Sequence, residues 1–198
     1  FVDKIVELEN NKSVKNFTLY TSAESYGSQA EYVRDGMDFD LFEKNLIHFI
    51  HKTKRSRITI MSAFNILSLP TLKPFIRWSN KLKRLSRGRV FLDFAYVRHP
   101  EFLDVKIADK DLINQYIKPA VDYMIEKDVY TDYEIFKLER IYKDCISKLE
   151  KEFDFKLEKY QFYQFVNEYD KRRNKSFLLT FPELKNFYKK CEAYYVWY

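Results

Sequence analysis

Phe17-Thr-Leu-Tyr-Thr21 is a short run of β-branched and apolar residues, and Ile58-Thr-Ile-Met-Ser-Ala63 is a second. Runs of this length and composition predict β-strands. Between them Asp38 is a potential helix N-cap, and it is followed by apolar residues at helical spacing: Phe42, Leu46, Phe49 and Ile50. The order strand, helix, strand is typical of a parallel crossover unit.

A second crossover is predicted to follow the first. Thr71 is a potential N-cap, Pro74 suits the first turn of a helix, and Gly88 suits its C-terminal end. The predicted packing face of this helix is Leu72, Phe75, Ile76, Trp78 and Leu82. Arg89–Val97 is the third predicted strand. Three strands cannot close a barrel, so this spacing predicts half of a larger barrel or a small open sheet.

The rest of the chain has a helical pattern. Residues 1–11 place apolar side chains roughly on one helical face, whereas residues 22–36 read as a polar loop. From Asp109 onward, apolar stripes at helical spacing continue to a last helix, predicted to begin with a Thr180–Glu183 capping box and to bury Leu184, Phe187, Tyr188, Cys191 and Tyr195. The predicted fold class is α/β, with the strands in a unit at 1–110 and a helical region at 111–198.

Composition limits the classes of function. The 198 residues carry a net charge of +6, which permits a nucleic-acid partner but does not indicate one. Cys145 and Cys191 lie far apart and form no CxxC pair, and His48 and His51 lack a carboxylate on the same helical face, so we predict no metal site within this chain. No apolar run is long enough for a membrane span, and the N-terminal residues lack the basic-then-apolar order of a signal peptide. We therefore expect a cytoplasmic protein with no membrane partner.

Polar residues follow the first two predicted strands. The carboxyl ends of parallel strands open on one side of a sheet, where ligands bind. The residues predicted to lie there are Ser22, Glu24, Ser25, Ser62, Asn65 and Ser68. Ser and Asn side chains suit ribose hydroxyls or amino-acid groups, and Arg34 suits a carboxylate. The same pattern permits a structural interpretation, in which Ser22 and Ser25 turn the chain, Asn65 caps a turn and Arg34 pairs with a neighbour such as Glu31.

Arg98 and His99 come directly after the third predicted strand. This position places both side chains at the same edge of the sheet, where they are candidates for substrate contact. A structural role in the turn before Pro100 is the alternative. The sequence contains no dinucleotide-binding glycine motif, phosphate-binding loop, zinc-protease motif or nucleophile elbow.

Longer segments carry a further signal: Tyr20-Thr-Ser-Ala-Glu-Ser-Tyr-Gly-Ser-Gln-Ala-Glu-Tyr-Val-Arg-Asp-Gly36, Thr59-Ile-Met-Ser-Ala-Phe-Asn65 and Leu92-Asp-Phe-Ala-Tyr-Val-Arg-His-Pro100. They resemble the later strands of radical S-adenosylmethionine (SAM) enzymes, and more narrowly the twitch-domain-containing radical SAM proteins. Asn167-Glu-Tyr-Asp-Lys-Arg-Arg173, Thr180-Phe-Pro-Glu-Leu184 and Phe187-Tyr-Lys-Lys-Cys191 resemble the closing segment of that group. The resemblance covers most of the chain, although residues 120–160 contribute little.

The resemblance implies a partial (β/α) barrel that binds SAM at its strand ends beside a [4Fe–4S] cluster held by a CxxxCxxC loop. It implies that Ser22 and Glu24 lie near the SAM ribose, that Arg34 approaches the methionyl carboxylate, and that Asn65 reaches the ribose or the methionine moiety. This chain has no CxxxCxxC motif. The cluster ligands are therefore expected outside it.

We accordingly expect a C-terminal fragment of a radical SAM enzyme, with the upstream half of the same polypeptide as its partner and a substrate that the sequence does not identify. The fragment alone is expected to be inactive. The alternative is a non-catalytic, basic helical module that binds nucleic acid or a partner protein. Its predicted phosphate contacts are Lys54-Arg55-Ser-Arg57, Lys81–Arg89 and Lys171–Lys175.

Overall fold

The computed structural model describes residues 1–151 and 153–194, which form three strands and a larger number of helices. In chain order the elements are α1 (Val2–Asn10), β1 (Thr18–Ser22), α2 (Ser28–Val33), α3 (Phe39–Lys52), β2 (Arg57–Phe64), α4 (Leu72–Leu85), β3 (Val90–Tyr96), α5 (Lys110–Glu126), α6 (Asp132–Glu150), α7 (Lys156–Arg173), α8 (Phe177–Thr180) and α9 (Lys185–Ala193). Short 3-10 turns occupy Ile66–Ser68, Glu101–Leu103, Val105–Ile107 and Pro182–Leu184. The predicted mixed α/β class with a helical C-terminal region is confirmed.

The three strands form a parallel sheet in the order β1-β2-β3. Each strand begins and ends within one residue of its predicted bounds. In the register, Ser22 lies opposite Met61, and Ile58 lies opposite Val90. Since connections between adjacent parallel strands are right-handed, α3 and α4 cover the same face of the sheet.

The two faces of the sheet differ in burial. On the helix-covered face, β2 and β3 present side chains that are at most 2% exposed: Ile58, Ile60, Ser62, Phe64, Val90, Leu92 and Phe94. On the opposite face, which we call the open face, Tyr20 is 66% exposed and Met61 39% exposed. Parallel sheets normally have both faces covered, so the open face is unusual.

The N-terminal half departs from the sequence prediction at two points. Asp38 caps α3 as predicted, because its carboxylate accepts the Leu41 N–H at 2.8 Å. The predicted Thr71 cap is wrong: its hydroxyl does not cap α4 but accepts the Tyr26 N–H at 3.1 Å. The stretch predicted to be a polar loop contains α2, which buries Gln29, Ala30 and Tyr32.

The C-terminal half is helical as predicted, with a different start to its last helix. The Thr180 hydroxyl donates to Ser176 O, so the predicted capping box with Glu183 does not form, and α9 begins only at Lys185. Leu184, Phe187 and Cys191 are buried as predicted and Tyr188 is half-buried. The predicted burial of Tyr195 lies outside the described residues.

Glu134 on α6 joins the helical half to the sheet. Its carboxylate accepts the Leu92 N–H of β3 at 2.7 Å and pairs with the Lys83 ammonium of α4 at 2.7 Å. It also accepts the N–H and the hydroxyl of Thr131, which completes a capping box at the start of α6. Both charged side chains are 2% exposed. Because removing one partner of a buried ion pair leaves an uncompensated charge, this contact is expected to dominate the attachment of α6 to β3.

We predict that Glu134→Gln lowers the free energy of unfolding by about 3–5 kcal/mol, because it leaves Lys83 buried without its counter-charge. Chemical denaturation of the purified variants measures this. Glu139→Gln on the same helix is the control, since its pair with Lys143 is solvent-exposed and contributes about 0.3–0.5 kcal/mol. The double variant Lys83→Met/Glu134→Gln should recover part of the loss. Equal destabilisation by Glu134→Gln and Glu139→Gln would contradict the role of Glu134.

Glu9 anchors α1 to the loop between α3 and β2. Its carboxylate accepts the backbone N–H groups of Lys54, Arg55 and Ser56, together with the Ser56 hydroxyl. Burial acts to raise the pKa of the Glu9 carboxyl, but these hydrogen bonds outweigh it and hold the pKa below its ordinary value. Nothing in the sequence pattern of α1 predicts that this glutamate is buried, with 6% of its surface exposed.

The lowered pKa of Glu9 determines how its contribution to the free energy of unfolding changes with pH. A carboxyl group whose pKa is lower in the folded state contributes stability above its unfolded pKa and loses it as the pH falls through the folded pKa. We therefore expect Glu9→Gln to lower the unfolding free energy by about 1.5–3 kcal/mol at pH 7 and by clearly less near pH 3. Urea denaturation across this pH range, with Glu7→Gln on the same helix as control, measures it. A Glu9→Gln effect that does not change with pH would refute this assignment.

Candidate functional site

The register of β1 and β2 brings their C-terminal residues together at one edge of the sheet, which we call the carboxyl edge. Ser22 lies opposite Met61, and the next residue, Ala23, donates its N–H to Met61 O at 3.1 Å. Asn65 follows β2 in an extended conformation. Since side chains alternate along extended chain, Ser22 and Asn65 both belong to the open-face side of the sheet. The structure therefore brings these two predicted residues to the same edge.

Arg34 and Glu24 form a bidentate ion pair at this edge. The Nε and Nη2 atoms of Arg34 each donate to a different oxygen of Glu24 at 2.6 Å. The Glu24 side chain is 4% exposed and the Arg34 side chain 40%. The hydrogen bonds that Arg34 donates to Glu24 raise the pKa of Arg34, which stays charged. The alternative pairing of Arg34 with Glu31 is wrong, because Glu31 instead accepts the Phe39 N–H at 3.0 Å.

The ion pair orients Arg34 without using all of its donors. Glu24 occupies the side of the guanidinium formed by Nε and Nη2. Guanidinium groups have five N–H donors, and a second edge formed by the two terminal nitrogens can hold another carboxylate bidentately. Within the described residues this second edge has no partner. Arg34 is thus a fixed, charged and half-exposed donor that suits an anionic ligand.

Asn65 stabilises the turn after β2. Its Oδ1 accepts the Leu67 N–H at 2.9 Å and its Nδ2 donates to Ala63 O at 2.8 Å. The structural interpretation of Asn65 as a turn cap is therefore confirmed, although the amide keeps one N–H for a ligand. Ser68 is buried in the same turn, Ser25 is buried and donates its hydroxyl to Leu67 O of that turn at 3.3 Å, and Ser62 lies on the helix-covered face. These three serines do not join the candidate site.

Arg98 and His99 are exposed beyond the end of β3. Tyr96, the last residue of β3, lies opposite Phe64, the last residue of β2, so both candidates follow the same edge of the sheet. The Arg98 guanidinium lies 5.5 Å from the centroid of the Tyr96 ring. This contact holds Arg98 near the end of β3. Substrate contact by Arg98 and His99 remains a prediction.

Sequence reasoning missed the contacts that fix the segment carrying Arg34. Tyr32 of α2 donates its hydroxyl to Asp170 at 2.8 Å and accepts at its carbonyl from Tyr169 at 2.6 Å, and Lys175 pairs with Asp35 at 2.9 Å. Burial and the neighbouring Asp170 carboxylate raise the pKa of Tyr32 strongly, so its hydroxyl remains protonated. Asp170–Lys175 therefore clamps the end of α2. The charged run at 170–175 was the only signal for this role in the sequence.

The described residues offer no group of three His, Cys, Asp or Glu side chains that could hold a metal ion. Cys145 and Cys191 are both buried, and burial raises the pKa of each thiol to about 12. Thiols in this state are poor metal ligands, because the thiolate is the ligating form. The donor set of these residues does not fit an iron–sulfur cluster.

Comparison with known protein families, with curated proteins and with solved structures finds no match to this chain. Among the helices that the structure describes, none has both the length and the apolar character needed to cross a membrane.

We predict that Arg34→Met lowers the free energy of unfolding by about 1.5–3 kcal/mol, since it leaves the buried Glu24 carboxylate unpaired. The double variant Glu24→Leu/Arg34→Met should be closer to the original protein, because no buried charge remains. Thermal and chemical denaturation measure both. Lys118→Met is the control, as the pair of Lys118 with Asp122 is exposed on both sides. Additive effects of the two site substitutions would contradict a direct Glu24–Arg34 interaction.

Proposed function

We propose that the carboxyl edge of this sheet binds S-adenosylmethionine and that the chain is the C-terminal part of a radical SAM enzyme with a partial (β/α) barrel. The observation that carries the proposal is the Arg34 guanidinium, which is oriented by Glu24, two residues after the end of β1, and whose second bidentate edge has no partner among the described residues. The sequence segments that resemble radical SAM enzymes include each of these residues.

The donor set at the carboxyl edge fits the polar groups of SAM. Arg34 would bind the methionyl carboxylate, for which a guanidinium is the best-matched side chain. Ser22 and the remaining N–H of Asn65 would bind hydroxyl or carboxylate oxygens, and Glu24 would position Arg34. When bound in such enzymes, SAM supplies the radical that removes a hydrogen atom from the substrate. The contribution of these residues is to bind and orient it.

The strand order and the placement of the helices support the proposal that the sheet is part of a (β/α) barrel. The strands follow one another in the order 1-2-3 with helices on one face, as they do in a (β/α) barrel. The open face, with Tyr20 and Met61 exposed, would then correspond to the inner side of the barrel. We propose that the upstream half of the same polypeptide covers it and supplies the ligands of the [4Fe–4S] cluster.

The proposal predicts a selective loss of affinity in Arg34→Lys. Lysine keeps the positive charge beside Glu24 but has no planar, bidentate edge for the ligand carboxylate. Isothermal titration calorimetry should show SAM affinity about tenfold weaker, which corresponds to about 1.4 kcal/mol. Binding of 5′-methylthioadenosine, which lacks the amino-acid carboxylate, should be unchanged. Lys118→Gln is the matched control.

Two results would contradict this function. One is the absence of saturable SAM binding to the folded chain. The other is an equal loss of affinity for SAM and 5′-methylthioadenosine in Arg34→Lys, since Arg34 would then not contact the carboxylate. Circular dichroism and unfolding curves establish that each variant is folded before titration.

A further inference from the structure

A cavity of about 490 Å³ lies at the opposite end of the sheet, which we call the amino edge. Two loops form it: residues 53–56 before β2 and residues 86–89 before β3. The Arg89 guanidinium joins them, because it donates to Ser56 O at 2.8 Å and to Ser86 O at 3.0 Å. The lining residues are Ile50, His51, Thr53, Lys54, Leu85, Ser86, Arg87 and Arg89.

The charges around this cavity have one sign. His51, Lys54 and Arg87 are exposed, and none of them forms an ion pair within residues 1–151 and 153–194. The described lining contains no carboxylate. Other members of the basic runs pair with carboxylates of this chain: Lys83 pairs with Glu134, and Lys175 pairs with Asp35. Lys54 and Arg87 thus add positive potential at the amino edge that no ion pair among the described residues offsets.

Helices α3 and α4 end at this cavity, and several of their C-terminal carbonyl groups accept capping hydrogen bonds, among them Leu82 O and Lys83 O of α4 from Ser86. The N–H and the hydroxyl of Thr53 both donate to Phe49 O, and Arg89 donates to Ile50 O at 2.8 Å. Helix C-termini repel anions when their carbonyls are free. Here the hydrogen bonds to these carbonyls and the Arg89 charge offset part of that repulsion, and the exposed Lys54 and Arg87 add positive charge beside it.

The loop that carries Lys54 is fixed in place. Glu9 accepts the N–H groups of three successive loop residues, and the Arg55 guanidinium donates to Glu9 O. The buried Glu9 carboxylate accepts four hydrogen bonds from this loop, and its negative charge also acts on the Arg89 guanidinium. A rigid loop lowers the entropy cost of binding, since the donors are held in position before the ligand arrives.

We propose that the amino-edge cavity binds a phosphate group, with Lys54 and Arg87 as the contacting cations and His51 beside them. Members of two of the three basic clusters noted in the sequence line this cavity: Lys54 from the first, and Arg87 and Arg89 from the second. The third, Lys171–Lys175, does not join them, because Lys175 pairs with Asp35 near α2. The site is separate from the carboxyl edge and independent of SAM binding.

The phosphate group has two possible sources, a small phosphorylated molecule or the phosphodiester backbone of a nucleic acid. Inorganic pyrophosphate and a fluorescein-labelled single-stranded oligonucleotide serve as probes, measured by calorimetry and by anisotropy at several salt concentrations. The test variant is Lys54→Gln/Arg87→Gly. Arg87 has a φ of 53°, so glycine suits its backbone and removes the charge without strain. Lys118→Gln/Lys143→Gln removes the same charge from exposed helix positions and is the matched control.

Saturable pyrophosphate binding that weakens at least about tenfold in the test variant, and less than about twofold in the control, supports the site and assigns a small phosphorylated molecule. Oligonucleotide binding without pyrophosphate binding supports a phosphodiester ligand if the slope of log K against log salt becomes shallower by about 1.4 in the test variant. The proposal is overturned if neither probe binds, or if the test and control variants lose affinity equally.

Discussion

The pairing of β1 with β2 in parallel, with Ser22 opposite Met61, is the constraint on which the rest of the structure depends. This register places the ends of both strands at one level, so that the turn after β2 and the segment after β1 meet. A shift of one residue would turn every side chain of β1 to the other face. Leu19 and Thr21 would then leave the cavity that they line with Leu46 and Phe49 of α3.

The two edges of the sheet use arginine in different ways. At the carboxyl edge, Glu24 holds Arg34 and leaves part of its guanidinium accessible. At the amino edge, Arg89 donates mainly to backbone carbonyls, and the neighbouring Lys54 and Arg87 are exposed and form no ion pair with any described residue. In both places one charged residue, Glu24 or Arg89, fixes the local structure, and other basic side chains remain exposed to solvent. A net charge of +6 does not reveal this division, because it counts every cation equally.

The sequence predicted what depends on local pattern. Strand positions followed from β-branched runs, and the Asp38 cap followed from its place before an amphipathic stretch. Predictions failed where a side chain found a distant or competing partner: Thr71 binds Tyr26 N–H, and Thr180 donates to Ser176 O. The short helix α2 was not predicted, because it is stabilised by tertiary contacts of Tyr32 rather than by a local sequence pattern. For the candidate site, the residues were identifiable, but the choice of Glu24 over Glu31 as partner of Arg34 was not, since it depends on how α2 is seated.

The clamp between Asp170–Lys175 and α2 links the assembly of the candidate site to the end of the chain. Tyr32 and Asp170 are separated by 138 positions in sequence, whereas the contacts between neighbouring strands are much more local. Closing so long a loop is slow relative to forming nearby contacts. During folding, the sheet can therefore form before the Arg34 segment is held in place. The geometry of the candidate site is then expected to be completed after the sheet, and a nascent chain lacking α7 would lack the contacts of Tyr32 with Tyr169 and Asp170.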